Sequence, residues 1–179
     1  MTLTRAHRWT AAALAPFLAL HLANHLALAA GPGAHRAVMD ALRPLYRVGL
    51  VEPVLIALFA LQIGLGLALA RRRGIGRGWA AAQVASGLYL AVFLVQHVPA
   101  VLAARTATPP VETDVHFAAA VLSGWPALYF APYYLLAIAA LATHLAAALH
   151  VRGRSLPALP WAGLALGAAI VAGLIATRT

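Results

Sequence analysis

Apolar residues in this chain do not alternate with polar ones; they run on. Five stretches, near 9–30, 48–70, 79–103, 127–149 and 159–177, are apolar almost throughout. Each is close to the roughly 20 residues a helix needs to cross about 30 Å of hydrocarbon. Only a helix satisfies every backbone N–H and C=O within such a run. The pattern predicts an all-α fold, an integral membrane bundle of five transmembrane helices, with 1–179 as one domain. Trp9, Trp79, Trp125 and Trp161 fall near the predicted span ends, where indole rings anchor at the interface. Pro53, Pro126 and Pro160 fall in or near first turns, where proline is tolerated. Pro16, Pro99 and Pro132 lie deeper and are expected to kink their helices.

Composition agrees with this pattern. The chain is 63% hydrophobic and 9% charged, too apolar for a water-soluble domain of 179 residues. It has no cysteine, which excludes disulfides, thiol catalysis and iron–sulfur ligation by this chain. The net charge of +9 comes from arginine alone, because lysine is absent. In a soluble protein such an excess would point to nucleic acid; here the arginines sit between apolar runs and report topology, so no nucleic-acid partner is expected. Arg5, Arg8, Arg71, Arg72, Arg73, Arg77, Arg152 and Arg154 fall on one side. The opposite loops carry Arg36, Arg43, Arg47 and Arg105, diluted by Asp40, Glu112 and Asp114. Eight against four puts the N-terminus inside, and the C-terminus with Arg178 outside. Arg5, Arg8 and the run ending in Ala27-Leu28-Ala29 also have the outline of a secretory signal. The run's length, with His21, Asn24 and His25 inside it, favours a retained span.

The chemistry lies in the polar residues that interrupt the spans. His21, His25, His97 and His144 fall within them. Ionisable side chains in a span are costly and face a bundle interior, a cofactor or a proton path. Counting from the inner side, His21 on the first span and His97 on the third share an outer depth. His144 on the fourth and Gln62 on the second share an inner one. Two neutral imidazoles from different helices at one depth suit the iron of a b-type haem. Packing histidines and proton relays are the alternatives. No zinc-site spacing is present.

These residues have a familiar order. Phe17-Leu-Ala-Leu-His21-Leu-Ala-Asn24-His25, Val51-Glu52-Pro-Val-Leu with Gly64-Leu-Gly66-Leu, Gln83-Val-Ala-Ser86-Gly87 followed by His97, and Tyr133-Tyr134 with His144 follow one another along the chain. From about Arg5 to Arg154 the sequence resembles the single-subunit cytochrome b membrane anchor of succinate:quinone oxidoreductases, that is, of succinate dehydrogenase or fumarate reductase. The resemblance implies two b haems stacked across a bacterial inner membrane. His21 and His97 would ligate the outer, distal haem; Gln62 and His144 stand at the inner, proximal positions. It also implies a flavoprotein and an iron–sulfur subunit docked on the inner face, with electrons passing between the clusters and quinone. Succinate itself would not be handled by this chain.

Two departures fall in the inner tier. Where the family usually has histidine the chain has Gln62, a poor iron ligand, and where its Arg-x-Ser/Thr-Gly signature has arginine the chain has Val84, while Ser86 and Gly87 remain. The expectation is one firmly held distal haem, with the proximal haem altered or absent. His144 would then be five-coordinate, hydrogen-bonded to Gln62, or paired with another inner donor such as His7 or His150. His25, one turn beyond His21, is a candidate for a haem propionate or quinone, or a packed helix-end residue. Glu52 is a candidate at the quinone site by resemblance, or a carboxylate meeting a helix N-terminus. His35 and His116 fall in outer loops and read as solvated. Tyr133 and Tyr134 read as aromatic packing. Gly64, Gly66 and Gly87 leave room for a helix or flat ring, and Gly163 with Gly167 forms a small-xxx-small packing pattern. The inner arginines form a rim for the iron–sulfur subunit or anionic lipid. The alternatives to the anchor are a cytochrome b subunit of another membrane oxidoreductase, and a haem-free transporter or assembly protein.

Overall fold

The computed structural model describes residues 2–178. Among them there are seven α-helices and no strand, so the fold is all-α. Five helices are long and apolar enough to cross a membrane. They are α1 (Leu3–Ala27), α3 (Val51–Arg73), α4 (Trp79–Thr106), α6 (Ala127–His150) and α7 (Leu159–Ala176). Two further helices, α2 (Pro32–Tyr46) and α5 (Val115–Ala120), lie in connections that the apolar pattern left unassigned.

Local chemistry accounts for the boundaries. α1 starts earlier than the apolar run because the Thr2 side chain caps it, accepting the Arg5 N–H at 3.3 Å. A 3-10 turn over Leu28–Ala30 follows, and Gly31, at φ +105°, redirects the chain into α2. α3 continues through Arg71, Arg72 and Arg73, whose charges suit the carbonyl end of a helix. Gly74, at φ +66°, comes next, a conformation that stops a helix without strain. Asp114 caps α5, accepting from the backbone N–H groups of His116 (2.9 Å) and Phe117 (3.2 Å). The long helices run through Pro16, Pro99 and Pro132 without a break in their assignment.

Contacts divide the chain into two units, one ending at Arg73 and the other starting at Gly74. In the first unit α1 and α3 pack antiparallel. Thr10 meets Gln62, Phe17 meets Phe59, and Arg73 donates to Thr4 Oγ1 at 2.8 Å. α2 lies against the end of α1 and buries His35 and Met39. In the second unit α6 packs antiparallel against both α4 and α7. The α4–α6 seam is aromatic and polar: Trp79 stacks on His150, and the Tyr89 and Tyr133 hydroxyls donate to the Tyr133 and Phe93 carbonyls, both at 3.0 Å. The α6–α7 seam is close helix packing. A Cβ on Gly163 would strike Ala142, and one on Gly167 would lie 2.7 Å from the Leu135 carbonyl oxygen. α5 packs on α7, and Arg178 donates to the Leu122 carbonyl, so the α5 connection and the end of α7 share one end of this unit.

Candidate functional site

The first unit carries two polar clusters at opposite ends of the α1–α3 pair. At the α1 start, the Thr10 hydroxyl donates to Gln62 Oε1, and Gln62 Nε2 lies 3.3 Å from His7 Nε2. The His7 ring sits over Gly66, where an added Cβ would lie 3.4 Å from its Cε1. Both ends of the Gln62 amide are therefore engaged within α1 and α3. The sequence marks Gln62 as a poor iron ligand but does not reveal its partners, which are more than fifty residues away.

At the other end are His21, His25 and His35 with Asn24. The His21 and His25 rings meet edge to face at 4.8 Å, and His25 and His35 are 5.8 Å apart. Asn24 Nδ2 lies 3.3 Å from His35 Nε2. The expectation of a solvated His35 fails, because α2 folds onto the end of α1 and leaves this histidine only 3% exposed. His116 is exposed, as expected, but it lies on α5 and not in a loop. Phe17, one turn before His21, stacks on its ring at 5.6 Å with planes 16° apart. Phe17 also meets Tyr46 and Phe59 edge-on, so α1, α2 and α3 each give a ring to one aromatic cluster. Glu52 lies in the first turn of α3 and is partly buried.

The second unit repeats the arrangement. His97 on α4 stacks on Phe93, one turn earlier, at 5.0 Å with planes 15° apart. Phe93 packs on Tyr133 at 4.6 Å. Tyr133 and Tyr134 belong to that aromatic seam. Eleven residues before His97, about 16 Å along the helix, is Ser86 in the second cluster. His144 Nδ1 lies 3.0 Å from the Gln83 carbonyl oxygen and 3.3 Å from Ser86 Oγ. The carbonyl only accepts, so Nδ1 carries the proton and Nε2 the lone pair. The Ser86 hydroxyl donates back to the Ala82 carbonyl at 2.6 Å. Gly87 provides the seat: a Cβ there would lie 3.0 Å from His144 Cε1. Ser86, Gly87 and His144 are thus one local constellation. His150 stacks on Trp79. Val84 is half-buried and adds no polar group.

Among the described residues no group of three or more His, Cys, Asp or Glu side chains is placed to hold a metal ion. A haem asks less of the protein, because the porphyrin supplies four nitrogens and only one or two imidazoles are needed. His144 meets the usual condition for a ligating imidazole, with one ring nitrogen fixed on a backbone carbonyl and the other holding the lone pair. His21 and His97 have their ring planes held by stacked phenylalanines. The Phe-x-x-x-His spacing is present in the sequence at both places. Its meaning depends on the rings being parallel, which spacing does not give. No protein-family model, curated protein or solved structure matches this chain.

Proposed function

We propose that this chain is the cytochrome b membrane anchor of a succinate dehydrogenase or fumarate reductase, passing electrons between an iron–sulfur subunit and quinone. The observation that carries the reading is the repeated phenylalanine-stacked imidazole. His21 on α1 and His97 on α4 are each held in plane by the residue one turn earlier, and each lies about 16 Å along its helix from a second polar cluster. His21 and His97 would hold a b haem, which when bound supplies one-electron transfer. The apolar spans keep water from the iron ligands and so help set the potential.

The inner tier supports a single-haem reading. With its amide engaged by Thr10 and His7, Gln62 is not offered as an iron ligand. His144 keeps the tautomer of a ligand, and Gln62 stands where the resemblance expects a second imidazole on α3. The exposed arginines at 71–73, 77, 152 and 154 suit an inner-face docking surface for the iron–sulfur subunit, with the flavoprotein beyond it, or for anionic lipid. His25 and Glu52 are placed in the quinone region by this reading.

The test is a reduced-minus-oxidised spectrum and a pyridine haemochrome assay on the chain purified from membranes. A b-type band at one haem per chain is expected, lost in His21→Ala and in His97→Ala. No b-type band would overturn the haem assignment, and two haems per chain would overturn the single-haem reading. Co-purification of a flavoprotein with an iron–sulfur protein separates this anchor from the cytochrome b subunits of other oxidoreductases.

A further inference from the structure

Two helix ends in the first unit meet in a basic patch with no acidic counterpart. Arg73 donates to Thr4 Oγ1 at 2.8 Å, so the end of α3 lies against the start of α1. Thr4 is one residue before Arg5 and one turn before Arg8 on α1, and Arg5, Arg8, Arg71, Arg72 and Arg73 are all exposed. None of these arginines forms an ion pair among the described residues. The acidic residues of the chain are Asp40, Glu52, Glu112 and Asp114. Asp40 and Glu52, which belong to this unit, lie at its other end. Glu52 is about 28 Å along α3 from Arg71, and Asp40 pairs with Arg36 on α2 at 2.9 Å. Past the arginines the same face of α1 changes character. Arg5, Arg8, Trp9, Ala12, Pro16 and Ala19 recur at the three- and four-residue spacing of one helix face. All are exposed, Trp9 at 62%. The face therefore runs from guanidinium to indole to a low apolar track about 10 Å long.

We propose that this face binds an anionic phospholipid, with the phosphate on the Arg5, Arg8 and Arg73 guanidinium groups, the glycerol ester level at Trp9, and an acyl chain along Ala12, Pro16 and Ala19. Guanidinium groups hold phosphate oxygens through paired N–H donors, and arginines next to a span attract anionic headgroups. Indole prefers the boundary between headgroup and hydrocarbon. The order of the three surfaces decides the kind of ligand. A free phosphate or a soluble acidic subunit would use the charged end and leave the apolar track without a role. A phospholipid carries all three parts in that order. Sidedness by itself asks for arginines at one membrane face, not for an indole and small residues in line with them. Haem and quinone play no part in this site, which requires only that the long helices cross a membrane.

Trp9 is the reporter for the test. The full chain carrying Trp79→Phe, Trp125→Phe and Trp161→Phe keeps it as the single tryptophan and is reconstituted in phosphatidylcholine bilayers. Its fluorescence is titrated with dibrominated phosphatidylglycerol or dibrominated phosphatidylcholine, which quench at contact. Phosphatidylglycerol should be preferred by about fivefold or more. Arg5→Gln with Arg8→Gln should bring the two lipids to within about twofold, while Arg152→Gln with Arg154→Gln leaves the preference unchanged. Equal quenching by the two lipids would overturn the proposal, as would a preference that survives Arg5→Gln with Arg8→Gln. A soluble protein that co-purifies with the unaltered chain and is lost with Arg5→Gln and Arg8→Gln, without any lipid preference, would assign the face to that partner and overturn it too. If the single-tryptophan chain fails to accumulate, native mass spectrometry of the unaltered chain in equal phosphatidylglycerol and phosphatidylcholine reads the same preference, again against Arg5→Gln with Arg8→Gln. Absence of a b-type band with the lipid preference intact would remove the haem assignment and leave this one standing.

Discussion

His144 shows how one ring is positioned by neighbours that are themselves unremarkable. Gln83 contributes a carbonyl, Ser86 a hydroxyl and Gly87 the lack of a side chain. The ring is hemmed on the carbonyl side, so a methyl group at Gly87 cannot be absorbed by a small swing. Gly87→Ala should destabilise the chain by about 1–3 kcal/mol, the usual cost of overpacking, read as a lowered midpoint in thermal unfolding in detergent. Ser86→Ala should cost less, because the Gln83 carbonyl still holds Nδ1. Gln62→Leu separates structure from ligation at the other cluster. It strips Thr10 and His7 of their shared partner and should cost about 1–3 kcal/mol, with the b-type band unchanged. A band lost in Gln62→Leu would return Gln62 to the list of iron ligands. Ser86, Gly87 and Gln62 were all legible in the sequence as marked positions. What each one touches was not, because the partners lie 52 to 61 residues away.

At the scale of helices, two kinds of glycine behave differently. Gly163 and Gly167 on α7 face α6 so closely that a Cβ would meet Ala142 at one and the backbone carbonyl of Leu135 at the other. Backbone cannot rotate away as a side-chain tip can. Gly167→Ala should therefore cost at least about 1–3 kcal/mol and loosen α7 from α6, detectable as faster proteolysis near residues 155–158. Gly64 on α3 is also helical, yet nothing lies within 4 Å of an added Cβ. Gly64→Ala should be neutral or stabilising by up to about 1 kcal/mol, the difference in helix propensity. The same melting experiment on both variants checks the contrast. The sequence grouped these glycines as close-approach positions, but only the helix pairing tells them apart. α2 gives the parallel lesson for loops. Its fifteen residues include Arg36, Asp40 and Arg43 and read as an outer connection, yet one face carries His35 and Met39 into the first unit.

For the whole molecule, the arginine distribution makes a claim about sidedness that the absence of cysteine makes easy to test. Ile75 and Ser123 are both exposed, the first between α3 and α4, the second between α5 and α6. A single cysteine at Ile75→Cys should react with a membrane-impermeant maleimide only after the membrane is opened from the cytoplasmic side. A cysteine at Ser123→Cys should react in intact cells. The reverse pattern would invert the topology and place the exposed arginine rim away from any cytoplasmic subunit. The position of Arg178 agrees with the helix order inside the second unit, since its bond to the Leu122 carbonyl sets the end of α7 beside the α5 connection.

Hydropathy determined by itself that the chain is helical and has five spans, because a run of about twenty apolar residues has one way to satisfy its backbone in hydrocarbon. Side-chain chemistry in the same spans marked His21, His97 and His144, because an imidazole is conspicuous among alanine and leucine. Tertiary structure alone decided that Gln62 belongs to Thr10 and His7, that His144 is seated between Ser86 and Gly87, and that His35 is buried on Asn24. The physical reason is one of range. Periodicity and apolar length are local and survive in a linear reading, whereas a hydrogen bond between helices depends on register and rotation, which only packing sets.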